Sequence, residues 1–152
     1  MVWDKVNAIA TAFMSLIILV TVLFAAFQLR ENQKYRRATA FMGVYEFLQE
    51  EYTCKSRGIL ISLLESKKNF KEWSKKEIEA CENVCKVYNF AGIMVSKKLI
   101  EKDLIVNEWR HSIVMCWEAA KPMLVEYRKS RGEEYWYNFD KLYEMAKKRN
   151  AV

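Results

Sequence analysis

The sequence predicts an all-α protein in which one N-terminal transmembrane helix continues into a cytoplasmic, antiparallel helical bundle of about four to five helices. The 152 residues include only four Gly and one Pro, which leaves few turns and favours long helices over a many-stranded sheet. Apolar positions recur at intervals of three and four, whereas no strand-like alternation of useful length occurs. Hydrophobic residues make up 52% and charged residues 29% of the chain, proportions that exclude a disordered or fibrous protein.

The first predicted element is an apolar segment near the start of the chain. Residues 6–29 contain no charged side chain, and the apolar centre of this segment, 8–27, is 20 residues long. At about 1.5 Å per residue, such a helix is roughly 30 Å long and matches the hydrocarbon core of a bilayer. The sequence therefore predicts a transmembrane helix at 8–29, preceded by a short extracytoplasmic segment, 1–7.

A cleaved signal peptide is the alternative for this segment. Its apolar region would have about 7–15 residues, after a positively charged start and before a small-residue cleavage site. Here Asp4 offsets Lys5, and the bulky Leu23 and Phe24 occupy positions where cleavage would need small residues. We therefore expect the segment to remain as an anchor.

The flanking charges predict the orientation of the anchor. Asp4 and Lys5 nearly cancel before the span, whereas Glu31 alone opposes the basic residues that follow it. This juxtamembrane basic cluster consists of Arg30, Lys34, Arg36 and Arg37. The positive-inside rule places the cluster in the cytoplasm, so a single-pass cell-membrane protein with its N-terminus outside and residues 30–152 cytoplasmic is expected. The cluster would also attract anionic lipids, although a role in topology alone is sufficient to account for it.

One face of the span carries small residues at helical spacing. Ala8, Thr11, Ala12 and Ser15 form two overlapping pairs four residues apart. Small side chains allow helix backbones to approach closely, and hydroxyls can bond across the contact. This small-residue face predicts self-association in the membrane; the alternative is that such residues are simply common in transmembrane helices.

Residues 30–152 are long enough for one helical bundle with its own core. Because no Gly or Pro occurs from residue 1 to residue 42, the span is expected to continue into the cytoplasm as one long helix. Its apolar stripe there would consist of Tyr35, Ala38, Phe41, Met42, Tyr45, Leu48 and Tyr52.

Four further helices are predicted. The second runs from about residue 54 to 67, and Ser74 and Glu77 match the capping box that starts the third. The fourth runs from near 103 to about 131, with an expected kink at Pro122. The last helix carries five apolar positions: Trp136, Phe139, Leu142, Tyr143 and Ala146.

The four cysteines are candidates for metal binding or for core packing. Cys81 and Cys85 lie four apart and could supply two ligands, but a structural zinc site needs two more. Cys116, Cys54 and His111 are the remaining candidates, and they have no recognisable spacing. Because three of the cysteines fall on apolar stripes, we expect reduced, buried thiols and no metal.

The sequence contains no recognisable catalytic motif. His111 is the only histidine, and none of its helix neighbours is a nucleophile. The Arg-x4–6-His motif of helical ribonucleases is absent, because Arg110 is adjacent to His111. An enzyme would need a site built from carboxylates alone, and basic residues are too dispersed for a nucleic-acid face. We expect no enzymatic activity, no cofactor, no small-molecule substrate and no nucleic-acid partner.

A candidate partner surface lies towards the C-terminal end. The consecutive Tyr135, Trp136 and Tyr137 cannot all face inward on one helix, so at least one should be exposed near Arg128 and Arg131. Aromatic residues and Arg are enriched at interfaces. The predicted partner surface is therefore Arg128, Arg131, Tyr135 and Tyr137, and a ring resting on lipid is the alternative for an exposed aromatic.

Four segments carry a family resemblance: ATAFMGVYEFLQEEYTCKSRGILISLL, WSKKEIEACENVCKVYNFAGIMV, WRHSIVMCWE and YWYNFDKLYEMA. Together with the preceding span, they resemble a family of small, single-span prokaryotic membrane proteins known only as a domain of unknown function. The resemblance implies a helical, membrane-anchored protein and supplies no catalytic residues. More distantly, the layout is similar to small CRISPR-associated membrane proteins in which one span precedes a helical bundle and the assembly forms a pore.

These observations predict a non-enzymatic membrane anchor or self-associating interaction module. Its expected partners are the lipid bilayer and either further copies of the chain or a cytoplasmic protein. The alternative is an oligomeric membrane pore or membrane-disrupting effector in phage defence. Since the span is uniformly apolar, the lumen of such a pore would be hydrophobic and could be gated by dewetting.

Overall fold

The computed structural model describes residues 2–148, with the backbone alone for Val2 and Asp4, and this part of the chain is α-helical without strands. Met1 and residues 149–152, which belong to the predicted N-terminal segment and bundle, lie outside the described residues. The elements are α1 (Val2–Gln49), α2 (Glu51–Glu65), a 3-10 turn (Phe70–Glu72), α3 (Lys75–Ser96), α4 (Lys102–Arg131) and α5 (Tyr137–Lys148). The predicted all-α class is confirmed.

The chain divides into two compact units, one up to residue 38 and one from Thr39 onward. The first unit is a stretch of α1 in which every described side chain from residue 5 onward is exposed. As the lack of Gly and Pro predicts, α1 is one continuous helix. By length and composition α1 could cross a membrane, and none of its most apolar window is buried against other residues.

The second unit, called the helical domain below, is built around one core. Helix α3 packs against α2, α4 and α5, and α4 packs against α2 and α5. One face of α3 is turned towards the core: Cys81, Cys85, Tyr88, Gly92 and Val95 are buried, whereas Ile78 near its start is half-buried. The last two turns of α1 add Val44 and Leu48, which are almost completely buried.

The apolar stripe predicted for the second half of α1 is wrong in its membership. Tyr35, Met42 and Tyr52 are more than half exposed, whereas Val44, which the stripe omitted, is buried. The reason is that the helical domain begins only at Thr39, so burial starts near Ala40 and follows a spacing of four to Val44 and Leu48.

Helix α2 also begins earlier than predicted. The break between α1 and α2 is a single residue, Glu50, with an extended backbone (φ −53°, ψ 136°). Neither Gly nor Pro marks this break in the sequence, so α2 starts at Glu51 rather than near residue 54. The guanidinium of Arg57 helps to hold the corner, because its Nη2 donates to the Leu48 carbonyl oxygen at 2.8 Å.

The predicted capping box at the start of α3 is confirmed. The Ser74 hydroxyl accepts from the Glu77 amide at 3.3 Å, and Glu77 Oε2 accepts from the Ser74 amide at 2.6 Å. Lys68 Nζ lies 2.8 Å from both carboxylate oxygens of Glu77. The bonds from Lys68 and Ser74 lower the pKa of Glu77 to about 2.

The ends of the remaining helices lie close to their predicted positions. Pro122 is within α4, which nevertheless continues to Arg131. Gly132 then turns the chain with φ 95°. Trp136 also has a positive φ, 58°, so α5 begins one residue later, at Tyr137, while the Trp136 ring is buried.

Candidate interaction surfaces

The small-residue face lies on the first unit. Ala8, Thr11, Ala12 and Ser15 are all exposed. Thr11 Oγ1 donates to the Asn7 carbonyl at 2.8 Å, and Ser15 Oγ donates to the Thr11 carbonyl at 2.9 Å. Because both hydroxyl protons are used within the helix, what this face offers a neighbour is chiefly a close approach of backbones.

The juxtamembrane basic cluster is exposed along α1. Arg30, Lys34, Arg36 and Arg37 all face solvent in the described structure. Lys34 Nζ pairs with Glu31 Oε1 at 2.8 Å, and both side chains are at least half exposed. An ion pair so exposed contributes little, so the cluster keeps its positive character.

The predicted partner surface lies where α4, the α4–α5 turn and α5 meet. Arg128 Nη2 is 2.7 Å from Asp140 Oδ2, and Arg128 Nε donates to the Tyr135 carbonyl at 3.1 Å. Trp117 Nε1 donates to the other Asp140 oxygen at 2.8 Å. The side chains of Arg128 and Asp140 are less than a quarter exposed. Arg128 of α4 therefore makes polar contacts both with the α4–α5 turn and with α5.

Arg131 lies further out and stacks on two rings. Its guanidinium carbon is 4.4 Å from the centre of the Tyr127 ring and 4.9 Å from that of Tyr135, and Nη1 donates to the Tyr135 hydroxyl. The Tyr127 hydroxyl donates to Glu82 Oε1 at 2.7 Å. Burial, together with Glu82, raises the pKa of Tyr127 to about 12, so this hydroxyl remains a donor across the physiological range.

Of the three consecutive aromatics, Tyr137 is the exposed one. It is 47% exposed, whereas Trp136 is buried and Tyr135 is half-buried. Lys141 Nζ lies 4.7 Å from the Tyr137 ring centre. Tyr137 and Arg128 also line a cavity of about 510 Å³ with Asp140 and two exposed acids, Glu133 and Glu134, which the sequence analysis did not single out.

A larger groove lies between α2 and α3, and the sequence did not predict it. Its volume is about 970 Å³, and Ile59, Leu63 and Ala80 are among its lining residues. The lining also carries charges of both signs: Lys55, Lys68, Lys76, Glu77 and Glu79. Small residues spaced by four also line the α2 side: Gly58, Ser62 and Ser66. That spacing was the signal present in the sequence, but it marks a groove only once the position of α3 is known.

Cys81, Cys85 and Cys116, the three cysteines predicted on apolar stripes, are buried in the core, and Cys54 is half-buried. Burial, and then the neighbouring Cys81, raises the pKa of Cys85 well above its usual range, and burial raises that of Cys116 to about 12. Among the described residues, no three His, Cys, Asp or Glu side chains are grouped to hold a metal ion. His111, the only histidine, is exposed on α4.

These features define an all-α protein with one long apolar helix and one small helical domain. The chain belongs to the family described as a domain of unknown function (DUF4760), which matches residues 15–146. This match confirms the resemblance to a family known only as a domain of unknown function. No curated protein and no solved structure matches the chain.

Proposed function

We propose that the protein is a single-pass membrane protein that acts without catalysis as a self-associating interaction module. In this proposal residues 8–29 cross the cell membrane, the residues before them lie outside, and the helical domain is cytoplasmic. The observation that carries the proposal is that every side chain from residue 5 to residue 29 is exposed, although residues 6–29 are uncharged and mostly apolar. A continuous apolar surface of this kind is unstable in water and stable in a lipid bilayer.

The polar groups of this segment support the same environment. A bilayer core offers no water, so each backbone and hydroxyl group must bond within the helix. The hydroxyls of Thr11, Ser15 and Thr21 each donate to the carbonyl four residues earlier, at 2.8, 2.9 and 2.8 Å. These three side chains can therefore enter lipid without an unsatisfied donor.

The proposed orientation rests on the charges that flank the span. The proposed lack of catalysis rests on where the histidine and the cysteines lie. The exposed cluster beginning at Arg30 follows the span and would stay in the cytoplasm by the positive-inside rule. The sole histidine is exposed, and Cys81, Cys85 and Cys116 are buried thiols. We therefore assign the protein an anchoring and interaction role.

Self-association would use the small-residue face. Ala8 and Ala12 lie one helical turn apart, and so do Thr11 and Ser15, and none of residues 2–148 covers them. A second copy could approach this face closely and gain van der Waals contact, which drives helix association in lipid. Ala10 can serve as a control position, because it lies about 200° around the helix from Ala12 and therefore on the opposite face.

The test is the native mass of the full chain in a mild detergent. We expect a defined oligomer for the unaltered protein, its loss in Ala12→Leu, and its retention in Ala10→Leu, which adds the same side chain to the opposite face. A monomeric unaltered protein would refute self-association. A ring-sized oligomer that also makes vesicles leak dye would favour the pore alternative over the interaction module.

A further inference from the structure

The turn between α3 and α4 exposes leucines among lysines. Leu99 and Leu104 are each 47% exposed, whereas Ile100 between them is 3% exposed. Lys102 and Lys148 line the same small cavity, so the last turn of α5 lies beside the start of α4. We define the turn patch as Lys97, Lys98, Leu99, Lys102, Leu104 and Lys148, all of which are exposed.

The patch is positively charged. It contains four lysines, and the acids within the same stretch of sequence are two, Glu101 and Asp103. Within residues 2–148, none of the four lysines forms an ion pair. Their charges are therefore available to an anionic partner, and their long alkyl chains can lie along apolar surface while the ammonium groups stay in water.

The backbone of the turn uses a lysine where glycine is usual. Lys98 has φ 56°, and its amide donates to Val95 O at 3.0 Å while the Leu99 amide donates to Met94 O at 3.0 Å. A residue with a Cβ is disfavoured in this left-handed conformation relative to Gly. Lys98 is therefore a less stable choice than Gly at this position of the turn.

The same geometry occurs at the other end of α3 without exposed leucines. Lys67, after α2, has φ 52°, and the connection that follows is also rich in lysine. Its large apolar residues, however, pack inward: Trp73 is buried and Phe70 is half-buried. The α2–α3 connection is thus a natural control for the turn patch.

The patch lies in the half of the domain where the chain enters. Phe41 and Tyr45, in the first two turns of the domain, contact Trp109 with ring centres 6.5 and 5.4 Å apart. Trp109 is seven residues, or about 10 Å, from the start of α4 at Lys102. Phe41 and Tyr45, where the helical domain begins, therefore pack against the same quarter of α4 that carries Lys102 and Leu104.

We propose that the turn patch binds the surface of an anionic phospholipid bilayer. Leu99 and Leu104 would enter the boundary between headgroups and acyl chains, and the lysines would contact phosphates. Charge complementarity favours this occupant, since exposed aliphatic side chains ringed by unpaired lysines suit anionic lipid better than the aromatic and Arg anchors of protein interfaces. The inference rests on the proposed function, because the anchor keeps the domain within reach of the bilayer.

The test uses the full chain in vesicles with an environment-sensitive fluorophore on one accessible cysteine, while Cys81, Cys85 and Cys116 stay buried. Cys54→Ser removes the half-exposed native thiol, Leu99→Cys places the probe in the patch, and Ser66→Cys places it at the α2–α3 connection. Vesicles of phosphatidylcholine alone are compared with vesicles of phosphatidylcholine and phosphatidylglycerol in equal amounts. An alkaline carbonate wash first establishes that the chain is integral to the membrane.

Matched charge variants complete the design. Each removes three exposed lysines that form no ion pair in the described structure. The patch variant is K97Q/K98Q/K102Q, and the control variant is K67Q/K71Q/K76Q. High salt provides a further check, because screening shortens the Debye length to about 3 Å at 1 M.

We expect a blue shift of the probe at position 99 in anionic vesicles only, its loss in the patch variant and in high salt, and its retention in the control variant. The probe at position 66 should not respond to anionic lipid. An identical spectrum in both vesicle types would overturn the proposal, and so would a shift that depends on the protein-to-lipid ratio, since it would indicate a second copy. A chain released by carbonate would refute the anchor, whereas an integral chain without a shift refutes the patch alone.

Discussion

Gly92 of α3 lies so close to Asn138 that a Cβ at position 92 would be 2.1 Å from the Asn138 carbonyl oxygen. No real Cβ makes such a contact, so only glycine permits this approach between α3 and α5. The backbone N–H of Asn138 also donates to Asn89 Oδ1 at 3.1 Å. This bond holds the start of α5 against α3. The close packing of α3 against α5 therefore depends on glycine having no side chain at position 92.

Replacing Gly92 by Ala should destabilise the domain, because the Asn138 backbone must move away. We expect a loss of about 1–3 kcal/mol in the free energy of unfolding, the usual cost of overpacking. Gly58→Ala is the control, since nothing lies within 4 Å of its added Cβ in the middle of α2, and it should stabilise by about 0.5–1 kcal/mol. Thermal unfolding followed by circular dichroism measures both, and equal midpoints would contradict the packing described for α3 and α5.

Glu77 should make the stability of the fold depend on pH in the acid range. Lys68 and Ser74 lower the pKa of Glu77 from 4.5 to about 2 in the folded protein, so the ionised carboxylate stabilises the fold above pH 4.5. This contribution is lost as the pH falls from about 4.5 towards 2, where Glu77 becomes protonated in the folded state as well. Glu77→Gln should therefore melt below the unaltered protein at neutral pH and approach it near pH 2.

The exposed Glu72 of the same connection is the control for this pH series. Glu72→Gln should follow the melting curve of the unaltered protein at every pH. If instead the gap between Glu77→Gln and the unaltered protein stays constant down to pH 2, the interaction of Glu77 with Lys68 and Ser74 is not what stabilises the start of α3.

Arg128 should be needed for stability, whatever its role in binding. Replacing it by Met removes the cation that pairs with Asp140, whose side chain is only 21% exposed, while the hydrogen bond from the Trp117 indole to Asp140 stays. We expect a loss of about 1–3 kcal/mol in the free energy of unfolding. Lys129→Gln breaks an ion pair with Glu126 in which both side chains are more than half exposed, and should cost less than about 0.5 kcal/mol. Chemical unfolding compares the two, and a similar loss in both variants would contradict the role assigned to Arg128.

The thiols should react in two classes. Cys54 is half-buried, whereas Cys81, Cys85 and Cys116 are buried, and burial raises the pKa of Cys116 to about 12. A thiol reagent at pH 8 should therefore modify one cysteine per folded chain quickly and all four after denaturation. Rapid modification of three or more thiols in the folded protein would show that the core is more open than the structure indicates.

Periodicity made the helices and most of the core predictable from sequence. In α3, the positions from Cys81 to Val95 that repeat every three or four residues are the buried ones, because a helix that packs on one side must place its apolar residues there. The capping box at Ser74 was equally local. Such features need no knowledge of the partner helix.

Features that depend on two elements were not predictable. The break at Glu50 has no Gly or Pro to mark it, and the bond from Arg57 to the Leu48 carbonyl across it joins two helices. Arg128 was expected on a partner surface, yet its position against Asp140 is known only when α5 folds back on α4. The α2–α3 groove and the turn patch likewise require the relative placement of helices, which the local pattern of residues does not supply.

The most direct test of the account is the membrane topology of the full chain in intact cells. Two variants in a Cys54→Ser background carry one accessible thiol each, Trp3→Cys before the span and Lys86→Cys on the exposed face of α3. A membrane-impermeant maleimide should label position 3 in intact cells and position 86 only after lysis, with both chains retained in the membrane after a carbonate wash. Release of the chain by carbonate, or labelling of both positions from the same side, would contradict a single-pass anchor.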